Sequence, residues 1–172
     1  SGVELYLSAT RRRSDGRDYF FADFDSSATR GVASGLDGET RDRVTARLDR
    51  GAFSMTGMLN RRSKDYATAR YGVDFGVPGN LVMDQMGMLG LGYDRPLTDR
   101  ASLRFQASWH DYGYHGDYVY SETPSTDWAR GQWLVLETQY SAATRAGHRI
   151  IFGAQQVSNV RQEQGTREEG IL

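Results

Sequence analysis

The stretch SWHDYGYHGDY, Ser108 to Tyr118, concentrates the residue types that do chemistry. His110 and His115 stand five apart with Asp111 and Asp117 beside them, a set that could hold a cation. A metal site wants histidines at helix or hairpin spacing with carboxylates converging on them. Solvated polar side chains are the favoured reading, and no metal site is expected. Ser108 and His110 alternate onto one face of an extended chain, where a hydroxyl and an imidazole could serve as nucleophile and base. A G-x-S-x-G elbow is absent, so the usual esterase arrangement is not signalled and no catalytic residue is assigned. GMLGLG at 87–92 superficially matches a dinucleotide fingerprint, but that motif must follow a strand and open a helix. Here the glycines alternate with Leu89 and Leu91 inside a strand pattern, where they thin a face or permit curvature. Asp23, Asp25, Asp37 and Glu39 in ADFDSS and LDGE lack the ligand spacing of a calcium loop. No cofactor is implied.

Ligand recognition has better candidates. Arg43, Arg47, Arg104 and Arg149 fall on the polar faces of alternating segments. Guanidinium forks could draw in an anion such as a metal chelate or a phosphorylated compound. Pairing with Asp49, Glu137 and carboxylates outside this chain is the favoured alternative. The aromatics Tyr19, Phe20, Phe21, Tyr66, Tyr71, Tyr112, Tyr114 and Tyr118 lie in connecting segments, and recognition concentrates in loops held on a rigid scaffold. The ligand-binding candidates are therefore Arg104, His110, Tyr112, Tyr114, Tyr118, Tyr66 and Tyr71.

The elements that must position them are strands. With 38% hydrophobic and 12% aromatic residues, the 172-residue chain is too apolar for disorder. Its apolar runs reach only a handful of residues against the roughly 20 of a membrane helix. Helical membrane proteins are excluded. The net charge of -1 gives no global field for nucleic acid or an anionic membrane. Lys64 is the sole lysine, an arginine bias read as composition. Cysteine is absent, which removes disulfides and thiolate metal sites and fits a bacterial envelope among other compartments. Ser1-Gly2-Val3 opens directly into a strand pattern with no signal peptide, so an exported form would be mature or excised.

Period-two alternation recurs at 3–12, 42–49, 52–61, 84–94, 100–110, 131–140 and 148–156, about seven strands of one unit over 1–172. The segment 100–110 is cleanest, with Ala101, Leu103, Phe105, Ala107 and Trp109 against Ser102, Arg104, Gln106, Ser108 and His110. Segment 40–50 also admits a short helix ending at Gly51; the tight turn that follows favours a strand. DRG, RPLTD and AATRAGH are short turns. Long connections near 13–40, 62–83, 111–130 and from 157 alternate with them. Outer-membrane barrels have that asymmetry, with short turns at one end and long loops at the other. Aromatic residues closing a strand then belong to a girdle where it leaves the hydrocarbon.

The quoted segments also carry a resemblance. DGRDYFFADFD, then GVASGLDGE, then RRSKDYATARYGVDFGVPGN leading into DQMGMLGLGYDRPLTDRASLRFQASWHDYGYHGDYVY, resembles the barrel of TonB-dependent outer-membrane receptors. HRIIFGAQQVSNVRQEQ resembles the next hairpin and the start of its outer loop. The resemblance covers essentially the whole chain and rests on the order of its pieces. It implies an all-β fold of consecutive antiparallel hairpins, an arc or fragment of a large transmembrane β-barrel in a Gram-negative outer membrane. The implied function is binding and uptake of a scarce nutrient such as a metal chelate. The implied partners are an unknown small-molecule substrate, a plug domain, an inner-membrane energy-coupling protein and lipid or detergent, with no nucleic acid. Neither plug nor coupling box is in this sequence, and barrels of this kind run to about 22 strands. Gly170-Ile171-Leu172 are expected inside an outer loop. An isolated arc has open edges, through which it could self-associate.

Two other classes fit the same strands. An outer-membrane enzyme would need a Ser or carboxylate of perturbed pKa beside His110. A soluble β-barrel or sandwich for a small ligand would turn Leu103, Phe105 and Ala107 inward and Arg104, Gln106 and His110 to water.

Overall fold

Alternation becomes a single antiparallel ladder. The computed structural model describes residues 2–168; Gly170, Ile171 and Leu172, expected in a loop, lie outside them. Strands β1 (Val3–Ser14), β4 (Glu39–Arg50), β5 (Phe53–Asp65), β6 (Leu81–Thr98), β7 (Ala101–Tyr120), β8 (Thr123–Ala143) and β9 (Arg149–Glu168) form a seven-stranded sheet in that spatial order. Every neighbouring pair is antiparallel. The sheet is open, with β1 and β9 at its edges. A second ladder of β2 (Tyr19–Phe20) and β3 (Val32–Ala33) lies within the 15–38 connection. The 39–50 segment is a strand, because both β1 and β5 need its backbone groups as partners.

Because side chains alternate across a strand, register sorts them into two faces. One carries an apolar band built from Leu5 and Leu7 of β1, Phe53 and Leu59 of β5, Leu89 and Leu91 of β6, Phe105 and Trp109 of β7, and Phe152 of β9. All are exposed. Above the band, toward the long connections, the same face turns polar with Arg11, Asp42, Arg61, Gln85, Asp111 and Arg130. The other face carries the arginines of the alternating segments together with Ser108, His110, Tyr112, Tyr114 and Tyr118. Among the described residues the buried apolar side chains are Ala33, Ala67, Val73, Val82 and Tyr118, all at the long-loop end. The accessible surface is 12285 Å², against roughly 8,500 Å² for a compact monomer of this mass. That excess is the uncovered sheet.

Two expected loops are strands. The segment 111–130 is not a loop: β7 continues to Tyr120 and β8 starts at Thr123. The chain from 157 likewise stays in β9 as far as Glu168. Strict alternation of short and long connections therefore holds only for 15–38 and 66–80. The physical reason is that above the apolar band both faces are polar, so hydropathy stops alternating while the backbone ladder goes on pairing. A bulge opposite Gln132/Trp133 adds a residue to β9, and Pro96, which has no N–H to donate, sits at the bulge between β6 and β7.

The β7–β8 hairpin turns on Ser121 and Glu122, both left-handed at φ 49° and 65°. That is the backbone of a two-residue type I′ turn, in which Asn-Gly is the preferred pair. Side chains with a Cβ are disfavoured there by about 1 kcal/mol each. The double change Ser121→Asn with Glu122→Gly is expected to raise the thermal midpoint by a few degrees, read by circular dichroism of the folded chain.

Candidate functional site

The loop end of the polar face is organised by one buried amide. Asn80 donates from Nδ2 to the carbonyls of Asp74 (3.2 Å) and Val77 (3.3 Å), and its Oδ1 accepts the Val119 N–H at 3.0 Å. Asp74 completes the clamp. Its N–H donates to the Val119 carbonyl at 2.8 Å, and its carboxylate accepts the N–H groups of Ser121 (3.0 Å) and Glu122 (2.9 Å). The 66–80 connection is thereby fastened to the tip of the β7–β8 hairpin. Val73 is carried onto Val82 and Tyr118, with Tyr66, Tyr114 and Tyr120 packed around them.

An aromatic rim results. Tyr71, itself left-handed at φ 62°, meets Tyr118 edge-on at 6.3 Å. The Arg70 guanidinium lies over the rings of Tyr71 (4.7 Å) and Tyr66 (5.6 Å). Tyr114 and Tyr118 join their hydroxyls by a hydrogen bond over Gly116. A Cβ on Gly116 would lie 2.7 Å from both hydroxyls, so this contact requires glycine between them. Burial, with the Tyr114 hydrogen bond second, pushes the Tyr118 phenol up. The two long connections touch through aromatic rings, with Phe24 stacked on Phe75 at 4.3 Å and Phe21 edge-on to it at 5.6 Å.

Of the seven sequence candidates, Tyr66, Tyr71, Tyr114 and Tyr118 come together in this rim. Tyr112, His110 and Arg104 share its face at successively greater depth along β7. Tyr112, Tyr114 and Tyr118 were expected on a loop and instead project from β7, which fixes them more rigidly. The Tyr112 hydroxyl donates to Asp84 at 2.6 Å. Burial first, then that bond, pushes its pKa up to about 12. His110 stacks flat on Trp133 at 4.9 Å, and its Nε2 lies 2.9 Å from Ser108 Oγ. Its buried Nδ1 meets no partner, so the third group that would orient the imidazole as a base is missing. Arg104 is paired with Asp94 at 2.7 Å.

His115 sits on the opposite face from His110 and pairs with Asp117 at 3.1 Å, so the two histidines do not converge. No metal-holding group of three His, Cys, Asp or Glu exists among the described residues. The carboxylates of the LDGE segment are engaged by cations. Asp37 accepts from Lys64, and Glu39 accepts from Arg62 at 3.1 and 3.2 Å. The Arg62 hydrogen bond holds Glu39 below the usual carboxylate range. Asp74, Asn80, Arg70 and Phe75 were missed in the sequence. The only local signal was the turn-rich run GVPGN before β6.

Comparison with known protein families, curated proteins and solved structures finds no match to this chain.

Two outcomes follow from the clamp and the half-buried Tyr112 phenol. Asn80→Ala removes three partly buried hydrogen bonds, a loss of about 2 kcal/mol; amide exchange should accelerate at 66–80 and 119–122 and stay unchanged in β4. The Tyr112 phenol, raised above its unfolded value, adds stability that is complete below pH 10 and is lost as pH rises toward 12. Absorbance titration at 295 nm should show one tyrosine ionising near pH 12 that Tyr112→Phe removes.

Proposed function

We propose that this chain is part of the wall of a large transmembrane β-barrel in a Gram-negative outer membrane, the portion of a TonB-dependent receptor that presents ligand-binding rim and lumen. The observation that carries the reading is the continuous exposed apolar band on one face; the other face exposes only scattered apolar side chains, among them Tyr6, Ile151 and Val157. The band runs from Phe53 to Leu59 on β5 and from Ala101 to Trp109 on β7, roughly 20–26 Å of strand, which at the roughly 35–45° tilt of barrel strands covers most of a belt about 25 Å tall. Aromatic residues border it. Phe53 and Tyr93 touch at 4.8 Å on the turn side, and Trp109 stands at the loop side. Consecutive strands pair in chain order without crossover, as they do around an up-and-down barrel wall.

In this setting the polar face lines the lumen, and the tyrosine rim stands where a nutrient such as a metal chelate enters. The chain's role is recognition. A plug domain, an inner-membrane energy-coupling protein and lipid are the partners of the whole receptor, and the strand edges of β1 and β9 continue into the rest of the barrel. With the rest absent, those edges would pair with a second copy. Ser108 and His110 lack an orienting acid among the described residues, which favours recognition over hydrolysis.

The test is the environment of the two faces. Spin labels at Leu103, Phe105 and Leu136, and separately at Arg104, Gln106 and Glu137, are placed in the protein in lipid or detergent. Oxygen is expected to relax the first set and a polar nickel chelate the second. Protection of the first set from both reagents would mean a covered core, and the soluble sandwich would replace the membrane reading.

A further inference from the structure

Register creates a charge arrangement that no single segment reveals. Arg12 of β1 is opposite Arg41 of β4, and Arg41 is opposite Arg62 of β5, all three on the polar face. Side chains directly opposite have Cβ atoms about 5 Å apart, and like charges there are destabilising. Arg43 projects on the same face one step nearer the turns. Two carboxylates serve these four guanidiniums. Glu39 binds Arg62 through both oxygens and reaches Arg41 at 3.4 Å. Asp84 closes the row opposite Arg62 but is engaged by the Tyr112 hydroxyl. Arg12 and Arg43 have no ion pair among the described residues. Lys64 and Asp37, just above, neutralise each other.

The surplus is local. Arg47 and Arg104, on the same face nearer the turns, are each closed by an aspartate at 2.7 Å, Asp49 and Asp94. Among the described residues Arg149 on this face also has no ion pair, but it stands alone at the turn end of β9. The loop end of β1, β4 and β5 gathers several cations with too few carboxylates, and their side chains remain accessible, that of Arg41 being 43% exposed.

We infer that the Arg12–Arg41–Arg62 row, with Arg43, is a binding site for a small multivalent oxyanion bearing carboxylate or phosphate groups. Planar guanidinium forks recognise oxyanions bidentately. A row of them spaced by adjacent strands suits a ligand with at least two anionic groups, which relieves the repulsion built into the sheet. The row reaches the aromatic rim through Asp84 and Tyr114, which are paired in register, so a bound anion would have the tyrosines within reach of its remaining surface. This inference deepens the receptor reading and rests on it only in needing the polar face to be the watered one.

The test is calorimetric titration of citrate and, separately, pyrophosphate into the protein in non-ionic detergent at low salt. At least one should bind, and the preferred one separates carboxylate from phosphate recognition. Arg12→Gln with Arg41→Gln is expected to weaken binding at least about tenfold, and raising salt to weaken it in the parent. Arg50→Gln with Arg100→Gln, the same charge change at the turns, should leave affinity as it was. Circular dichroism verifies that each variant keeps its strands; should the first not, Arg43→Gln alone is expected to weaken binding severalfold. Absence of binding by either anion, or binding that survives loss of the row, overturns the inference. So does a row variant that lowers thermal stability while neither anion binds the parent, the sign of an acidic segment already seated there. Spin-label accessibility reports on the membrane reading independently, so the two can fail separately.

Discussion

Everything in this molecule depends on the cross-strand ladder. A sheet with no second layer has no interior to hold it, so its backbone hydrogen bonds alone fix which side chains are neighbours. Each non-glycine residue then has a face and a row, and a slip of one residue would exchange the faces entirely. The apolar band, the tyrosines of β7 and the arginines of β1, β4 and β5 all take their meaning from that register. The bulges at Pro96/Thr98 and Gln132/Trp133 show where it is locally adjusted. Neither changes strand order.

The second level of organisation is the loop end. Among the described residues, burial occurs only there, where Asn80 and Asp74 convert a glycine-rich connection into an extension of the β7–β8 tip. Loops carry unpaired backbone groups that must be satisfied. A single buried amide supplies two donors and one acceptor here and holds Val73 against Tyr118. The aromatic rim is therefore built on a strand and a pinned loop, a rigid arrangement for groups proposed to meet a ligand. Phe75 ties the first long connection to the second through Phe21 and Phe24.

The two faces serve different solvents in the proposed setting. Apolar side chains such as Leu5, Leu7 and Phe152 are more than two-thirds exposed, a costly arrangement in water at about 25 cal/mol per Å². In hydrocarbon it costs nothing. On the opposite face several half-buried polar groups find partners, as Tyr112 does on Asp84 and Arg62 on Glu39, while Asn60 Oδ1 and His110 Nδ1 do not. The same sheet thus presents one mostly apolar and one mostly polar face, and the proposed membrane setting rests on that difference more than on any one residue.

The sequence by itself determined the strands and their facing. Alternation in segments such as ASLRFQASW assigns each residue to a side, and turn residues such as Asp49-Arg50-Gly51 mark the reversals, because side-chain period and turn chemistry are local properties of the chain. It did not reveal that 111–130 and the chain beyond 157 continue as strands. Where Tyr112, Tyr114 and Arg161 stand, both faces are polar, and only hydrogen bonding to a neighbour keeps the chain extended. Nor could it bring Tyr66 and Tyr71 to Tyr118, or set Arg12 beside Arg41 and Arg62. Those contacts join residues far apart along the chain. They exist only because loop lengths and strand registers close at particular values, and that decision belongs to the tertiary structure.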